Sequence, residues 1–428
     1  MSYQKISKFL ASSFVMLLVG LPINAFAQSG IGIYLDRNYF APGQGAPQLS
    51  ISAFNSETPV TVDVHVGVIA ENGTIYEYPD WNTRLKPWLS GVSLPQTFNY
   101  PVTPIVTLPN VLPSGVWTAF AALTEPGTTD IISIDLAPFN ILPDTASGSS
   151  YGSLYLSLSQ TPTGTNVAAG GTFAQTSNAI QDLIESFDGQ QAGLEQCVFN
   201  EIAIDISNIE GIQLTTLDAG DALQLSSSTG LSASLFKNVD AESLGYALYA
   251  APDGQLGSSF FQGDANYTFQ GFGGPDIQPF TVGVRAPPPL TLTQPMLSSS
   301  ASHNTTGDLQ LMWNGNGGVG EVHASLSGTD LSKVYIISCR FADDGNASIP
   351  SGLLAQLKEK LGSGTITIPG IDLPPGIEIP GIEIPGLGTI ATLSVSRSNY
   401  SMFNTANASL SYGVATVDSG VSMQLTLQ

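Results

Sequence analysis

The chain has 428 residues and a formal charge of −22, with 12 Lys and Arg against 34 Asp and Glu, so polyanions such as nucleic acid and anionic lipid surfaces are disfavoured partners. At 42% hydrophobic and 11% charged, with 45 Gly and 28 Pro, the composition excludes a disordered chain and fits a turn-rich β protein. The length allows two to four domains, each able to bury its own core.

Residues 1–27 read as an export signal: Lys5 and Lys8 start it, Phe9 to Val19 form the apolar middle, and Ala25-Phe26-Ala27 is a small-residue cleavage site. No lipid-anchoring Cys follows, no later apolar run is long enough to cross a bilayer, and Met423 to Gln428 carries no sorting tail, which together predict a soluble exported chain. Cleavage removes two lysines and no acid, leaving a formal charge of −24 over 401 residues.

From Gly30 to Leu142 the pattern predicts an antiparallel sandwich of about seven short strands, within a first domain spanning 28–145. Val60, Val62, Val64, Val66 and Val68 alternate with Thr61, Asp63, His65 and Gly67, giving one core face and one polar face. Asn72-Gly73 predicts a tight hairpin with φ > 0 at both residues, returning through Thr74 to Tyr78. Tyr76, Tyr78, Trp81, Trp88 and Tyr100 lie within 25 positions, a grouping that can stack on sugar rings or simply anchor core and loops. Asp144 to Gly152 reads as a linker.

A second, β-rich domain is expected over 146–286, beginning at Leu154 and carrying one helix in which Ile180, Leu183, Ile184 and Phe187 share a face, Asn178 and Gln181 cap the start and Gly189 the end. Pro287-Pro288-Pro289 marks the boundary to a third, over 287–428. There Asp308 to Trp313, Glu321 to Ser327 and Val334 to Phe341 read as strands, followed by a helix from Pro350 to Gly362 that turns Leu353, Leu354, Leu357 and Leu361 to one side. Residues 366–387 form a low-complexity insert in which Gly-Ile-Glu-Ile-Pro occurs at 376–380 and 381–385; proline every five residues predicts an extended polyproline-like loop with no regular ladder, or a partner-binding arm.

Chemical motifs are few. Gly148-Ser-Ser-Tyr-Gly152 matches a hydrolase elbow, but Ser150 lies in the predicted linker with no helix behind it. Gly315-Asn-Gly-Gly-Val-Gly320 matches a dinucleotide loop, but an alternating strand follows it, so a hairpin loop is expected. The three histidines, His65, His303 and His323, show no zinc spacing, and His65 and His323 fall on polar strand faces. Asp343-Asp344-Gly345-Asn346 reads as a hydrogen-bonded acidic turn, with Ca²⁺ held by Asp343, Asp344 and Asn346 as the alternative; Asp218 and Asp221 read the same way. No other cofactor is implied. Cys197 and Cys339, in a chain bound for an oxidising compartment, are expected to form a disulfide.

Tyr39-Phe-Ala-Pro-Gly43, the Val-rich strand with Asn72-Gly73, and Leu112-Pro-Ser-Gly-Val-Trp117 leading to Ala121-Ala-Leu-Thr-Glu-Pro-Gly127 resemble an immunoglobulin-like domain common in exported proteins of Gram-negative bacteria. The remainder, with Leu217-Asp-Ala-Gly220, Phe272-Gly-Gly-Pro-Asp276 and Asp308-Leu-Gln-Leu-Met-Trp313, is similar to larger exported multi-domain β proteins; the Ile-Pro-Gly insert departs from that pattern. The resemblance implies fold and export and carries no activity. The expectation is a mainly β chain: an immunoglobulin-like β-sandwich followed by two further β-rich, sandwich-like modules with one or two short helices. Its expected role is non-catalytic recognition, adhesion or assembly in the periplasm or at the cell surface, with protein or glycan partners. A hydrolytic enzyme whose carboxylates converge only in the fold, and a self-assembling surface or filament subunit, are the competing readings.

Overall fold

The structure, a computed structural model, describes residues 29–428 apart from 41–44, 143–148, 177–191, 204–213, 239–247, 373–377, 406–409 and scattered stretches of three residues or fewer. The export signal and the helix expected at 178–189 lie outside the described residues. The fold is mainly β, with several sheets and one described α-helix, and no described helix is long and apolar enough to cross a membrane.

The first module contains β1 (Ser29–Leu35), β2 (Tyr39–Phe40), β3 (Gln48–Asn55), β4 (Val60–Ala70), β5 (Ile75–Glu77), β6 (Leu89–Leu94), β7 (Phe98–Thr107), β8 (Gly115–Thr124) and β9 (Ile131–Ile141). One sheet has the order β1-β3-β7, and the other runs β2-β9-β8-β4-β5 with β6 also on β4. Val62, Val64, Val66 and Val68 point between the sheets and meet Ile31, Ile33, Leu49 and Ile51 in one core, as strict alternation requires. The opposite face of β4 departs from expectation: Asp63 and His65 are 4% and 8% exposed, so β4 is covered on both sides. The hairpin also differs, because Gly73 (φ 79) adopts the left-handed region and Asn72 does not. Asn72 Oδ1 accepts the Thr74 N–H at 3.0 Å while Gly73 N–H donates to Ala70 O at 2.8 Å, a three-residue loop closed by glycine.

The rest of the chain supplies β10 (Ser149–Thr161), β11 (Gly164–Thr176), β12 (Gln196–Ala203), β13 (Leu214–Thr216), β14 (Ala222–Ser227), β15 (Ser232–Lys237), β16 (Leu248–Ala250), β17 (Asn266–Gly271), β18 (Phe280–Arg285), β19 (Leu292–Gln294), β20 (Ala301–His303), β21 (Leu309–Trp313), β22 (Glu321–Thr329), β23 (Lys333–Ala342), β24 (Asn346–Ile349), α1 (Ser351–Gly362), β25 (Thr365–Ile368), β26 (Ile371–Asp372), β27 (Glu378–Ile379), β28 (Ile382–Pro385), β29 (Ile390–Met402) and β30 (Tyr412–Leu427). A 14-stranded sheet runs β12-β23-β22-β29-β30-β10-β11-β16-β15-β14-β17-β18, with β13 on β11 and β20 on β30. Its middle is the parallel pair β10–β30, which joins Tyr151 to Tyr412 and Gln160 to Val421. This sheet crosses the Pro287 to Pro289 stretch, while two hydrophobic clusters stay separate on it. One holds Leu154, Phe173, Leu225, Tyr249, Tyr267 and Phe280, where the sheet curls until β18 lies against β29 and β30. The other holds Leu311, Trp313, Leu326, Ile337, Leu393 and Met423, closed by the small sheet β19-β21-β24 and by α1.

α1 matches the expected helix, with Leu354, Leu357 and Leu361 buried on one side. Two other expectations are corrected. β10 starts at Ser149, so Ser150 and Gly152 belong to a strand and not to a linker. The insert carries ladders after all: β25 pairs β28 and β26 pairs β27, both antiparallel and in one continuous register, Ile366 opposite Ile384 and Ile371 opposite Ile379. Pro385 sits at the end of its strand, where a missing N–H costs the ladder least.

Cys197 and Cys339 face each other across β12 and β23 and are joined by a disulfide, with Cα atoms 4.0 Å apart and a sequence separation of 142. Beside it, Arg340 leaves the large sheet to reach the first module: its Nη1 donates to Asp36 O at 3.1 Å, its Nη2 to Leu35 O at 2.7 Å, and its Nε to Glu321 Oε2 at 2.6 Å. Burial pushes the Glu321 carboxyl up, but the Arg340 guanidinium more than offsets this and holds it at about 2. An apolar seam of Tyr39, Leu142, Met402 and Tyr412 completes the junction, with Tyr151 and Tyr412 stacked at 5.7 Å.

Replacing both cysteines by serine frees a long loop in the unfolded chain, and a loss of about 4–5 kcal/mol of stability is expected, read as a lower denaturation midpoint. Non-reducing peptide mapping checks the bond directly. At the junction, burial pushes Asp135 up to about 7 even though the Ile33 N–H (2.9 Å) and Leu136 N–H (3.0 Å) donate to it. Between its ordinary value near 3.8 and about 7 the folded chain therefore holds a proton that the unfolded chain has lost, so this group's contribution to stability falls as pH rises through that window. Asp135→Asn is expected to flatten the fall in Tm between pH 5 and 8; identical Tm curves for variant and wild type would refute the assignment.

Candidate functional site

The covered outer face of the first module holds a small depression open to solvent. Its walls come from alternate outward positions of β4, β5, β8 and β9, among them Ile69, Ile75, Phe120 and Ile134, with Leu85 at the rim from the loop between β5 and β6. That loop explains why the face is buried: it folds back so that the Lys86 N–H donates to Glu77 Oε2, and Glu77 N–H donates to Asn82 O at 3.0 Å. The lining is apolar except for His65, Glu77, Thr124 and Thr129.

Glu77 Oε1 lies 2.8 Å from His65 Nδ1, and both side chains are buried. Register creates the pair. Glu77 stands opposite Gly67, whose missing side chain leaves the Glu77 carboxylate room to reach back two strand positions, to the next residue on the same face, His65. Gly67 is obligatory, since a Cβ there would come 2.3 Å from Tyr76 O and 2.7 Å from the Phe120 ring. Among the described residues, His65 Nε2 and Thr124 Oγ1, both buried, have no hydrogen-bond partner. Next along the same face, Asp63 accepts the Gly127 N–H at 2.8 Å and the Gly91 N–H at 2.7 Å, and these two donors hold its carboxyl below the usual range.

The aromatic group divides. Tyr78 touches Trp81 and Trp88, with ring centroids at 5.7 and 5.8 Å, whereas Tyr76 turns to Trp117 at 6.2 Å and Tyr100 lies on β7 in the other sheet. Tyr76, Trp81 and Trp88 pack against the first module's core, so each offers only part of a face. Trp81 is held at φ 48, a conformation that a bulky residue adopts only where packing fixes it.

The other sequence candidates lie elsewhere. Asp343, 0% exposed, receives Arg397 Nη2 at 2.9 Å and Trp313 Nε1 at 2.7 Å on Oδ1, and Arg397 Nε on Oδ2. Asp344 Oδ1 accepts the Asn346 N–H at 3.1 Å, an acidic turn stabilised from within. Among the described residues no three His, Cys, Asp or Glu side chains gather in a metal-holding group. Asp218 accepts the Gly220 N–H at 2.7 Å and Lys237 Nζ at 3.1 Å, while Asp221 contributes its carbonyl to the Lys237 N–H. Ser150 is tied into β10, its Oγ accepting the Ser411 N–H at 3.0 Å. The Gly315 to Gly320 stretch is not a hairpin loop; it carries the chain from β21 in the small sheet to β22 in the large one. His323 lies 3.6 Å from Glu321, and His303 Nε2 lies 2.9 Å from Gly307 O.

No protein-family model matches the chain, and no curated protein matches it in sequence. Among solved structures, a crystal structure of a tetra-tandem repeat in the extending region of a large adhesion protein is similar at 11% identity and a TM-score of 0.17, over 92% of this chain and 74% of that one. A TM-score that low does not place the two chains in one fold.

Asp343→Ala leaves the Arg397 guanidinium buried without its counter-charge, and a loss of about 3–5 kcal/mol is expected from chemical denaturation. Adding Ca²⁺ to the wild-type chain and following its Tm checks the calcium reading separately, since a bound ion would raise it.

Proposed function

We propose that this is an exported recognition or adhesion protein that works at the cell envelope or surface without catalysis. The observation that carries the reading is the outer face of the large sheet across β14 to β17. Its outward positions are Ala222, Gln224 and Ser226, Ser232, Ser234 and Phe236, Leu248 and Ala250, and Asn266, Thr268 and Gln270, with no charge among them. Phe236 is level with Ala222 and Ala250, and these small neighbours leave its ring standing 51% exposed; Leu248 is 36% exposed, and Phe272, just past β17, is 65% exposed. Hydroxyls and amides with free apolar side chains, on a chain of net charge −22, suit a neutral protein or glycan partner better than a charged one.

A catalytic reading has less support. Asp343, Glu321, Asp63 and Asp218 each engage an arginine, a lysine or backbone N–H groups. The test is binding of residues 28–428 to envelope preparations of the producing bacterium. Saturable binding is expected, weakened roughly tenfold in a Phe236→Ser, Phe272→Ser variant of unchanged Tm. Hydrolysis of a polysaccharide or peptide panel that a single acid-to-amide change abolishes would overturn the proposal.

A further inference from the structure

We infer that the outer face over β14, β15 and β17 binds an extended, uncharged polysaccharide of equatorially linked sugars, with Phe236 and Phe272 each stacked on the apolar face of a sugar ring. The inference rests on the recognition reading above and narrows it from a neutral partner to one chemical class.

Register builds a line of aromatic and small residues across the strands. Phe236 on β15 stands opposite Ala222 on β14, and Phe272, one residue past the Leu223–Gly271 pair, comes level with Ala222 on its other side. The two phenyl rings therefore lie two strands apart, on the order of 10 Å, with a single methyl group between them. They are 51% and 65% exposed. Gly220 holds the Phe272 segment against β14, since a Cβ there would come 2.8 Å from Gly273 O. The next row along the strands, Ser234, Gln224 and Gln270, sets a hydroxyl and two amides beside the rings.

A sugar ring carries C–H groups on its face and hydroxyls around its edge, so its recognition calls for aromatic faces next to neutral hydrogen-bonding groups. In an equatorially linked chain each ring advances about one strand spacing and successive rings stay nearly coplanar, so every second ring can meet a phenyl group; a chain that coils meets only one. Charge selects further. Beyond the aromatic line Asp221 is exposed, Asp276 accepts the Asp218 N–H, and Lys237 is engaged by Asp218, an acidic margin that repels an anionic polysaccharide. Size separates a glycan from a protein. The four strands β14, β15, β17 and β18, each six residues long, present on the order of 400 Å², about half of the roughly 800 Å² that each partner gives to a stable protein interface. A short run of sugars fits that area.

The experiment is titration of residues 28–428, followed by calorimetry or NMR, with cellohexaose, an extended β-linked glucose chain, and with maltohexaose, its coiled α-linked counterpart. Binding to envelope preparations with and without proteinase treatment runs alongside. Saturable binding of cellohexaose is expected, at least roughly tenfold tighter than maltohexaose, falling roughly tenfold in Phe236→Ala and in Phe272→Ala and about threefold in Gln224→Ala, all at unchanged Tm. Envelope binding is expected to survive proteinase. Three results each overturn the inference: no saturable binding of cellohexaose, equal affinity for the two sugars, or an affinity that Phe272→Ala leaves intact. Envelope binding that proteinase abolishes would then identify a protein partner and leave the recognition reading standing, whereas an absence of envelope binding would remove that reading as well.

Discussion

The assembly turns on five consecutive residues at the end of β23. Cys339 bonds covalently to β12, Arg340 reaches out of the sheet to the carbonyls of Leu35 and Asp36 in the first module, and Asp343 receives Arg397 from β29 and the indole of Trp313 from the small sheet. Adjacent side chains of a strand point to opposite faces, so one short stretch can serve a disulfide on one side and a charged clamp on the other. The charges bind these constraints to one another. A guanidinium removed from water without its carboxylate costs several kcal/mol, so Glu321 and Asp343 are needed as soon as Arg340 and Arg397 are buried. Moving β23 would unpair both.

The first module manages polarity differently. Its inner core is mainly apolar, while its outer face buries a histidine and a glutamate beneath the loop between β5 and β6. Such a pair contributes little to stability, since its attraction mainly offsets the desolvation of its members. Leaving Nε2 of His65 and Oγ1 of Thr124 unpaired adds a further cost of about 1–3 kcal/mol each. Local structure therefore works against the global optimum here, as it also does at Asn140 Nδ2 on β9, another buried polar atom without a partner among the described residues.

Much of this was legible in the sequence, and what was not has identifiable physical reasons. Alternation of the valines in β4, the Leu354, Leu357 and Leu361 face of α1, and the covalent partner of Cys197 all rest on local period or on compartment chemistry, and the structure has each of them. The His65–Glu77 contact was within reach, because the Asn72-Gly73 turn sets Gly67 against Glu77 and places His65 beside the gap. Its burial was not, since the covering loop carries Asp80, Asn82, Arg84 and Lys86 and reads as solvated. The single large sheet was hidden for another reason: β10 and β30 meet in parallel across more than 250 residues of sequence, and no local pattern selects such a partner. Arg340 gave no signal either, as its acceptors in the first module are backbone carbonyls, which every residue possesses.

Scarcity of cations sharpens the meaning of the two buried arginines. With 12 Lys and Arg in the whole chain, two are committed to the interior, where each meets one carboxylate and two carbonyls: Glu321 with Leu35 and Asp36 for Arg340, Asp343 with Pro288 and Asn314 for Arg397. Lysine would preserve the charge and lose the arrangement, because an ammonium offers three donors around one point, whereas guanidinium spreads five in a plane that can hold a carboxylate on one edge and carbonyls on another. The carbonyls come from segments far apart in sequence, and two of them, Pro288 and Asn314, flank the start and end of the small sheet's first two strands. Each arginine thus fixes backbone and not merely charge. In a chain that has so few cations to place, that geometric demand explains why the most deeply buried ones are arginine, and why the modules dock through clamps on main-chain atoms instead of through surface ion pairs.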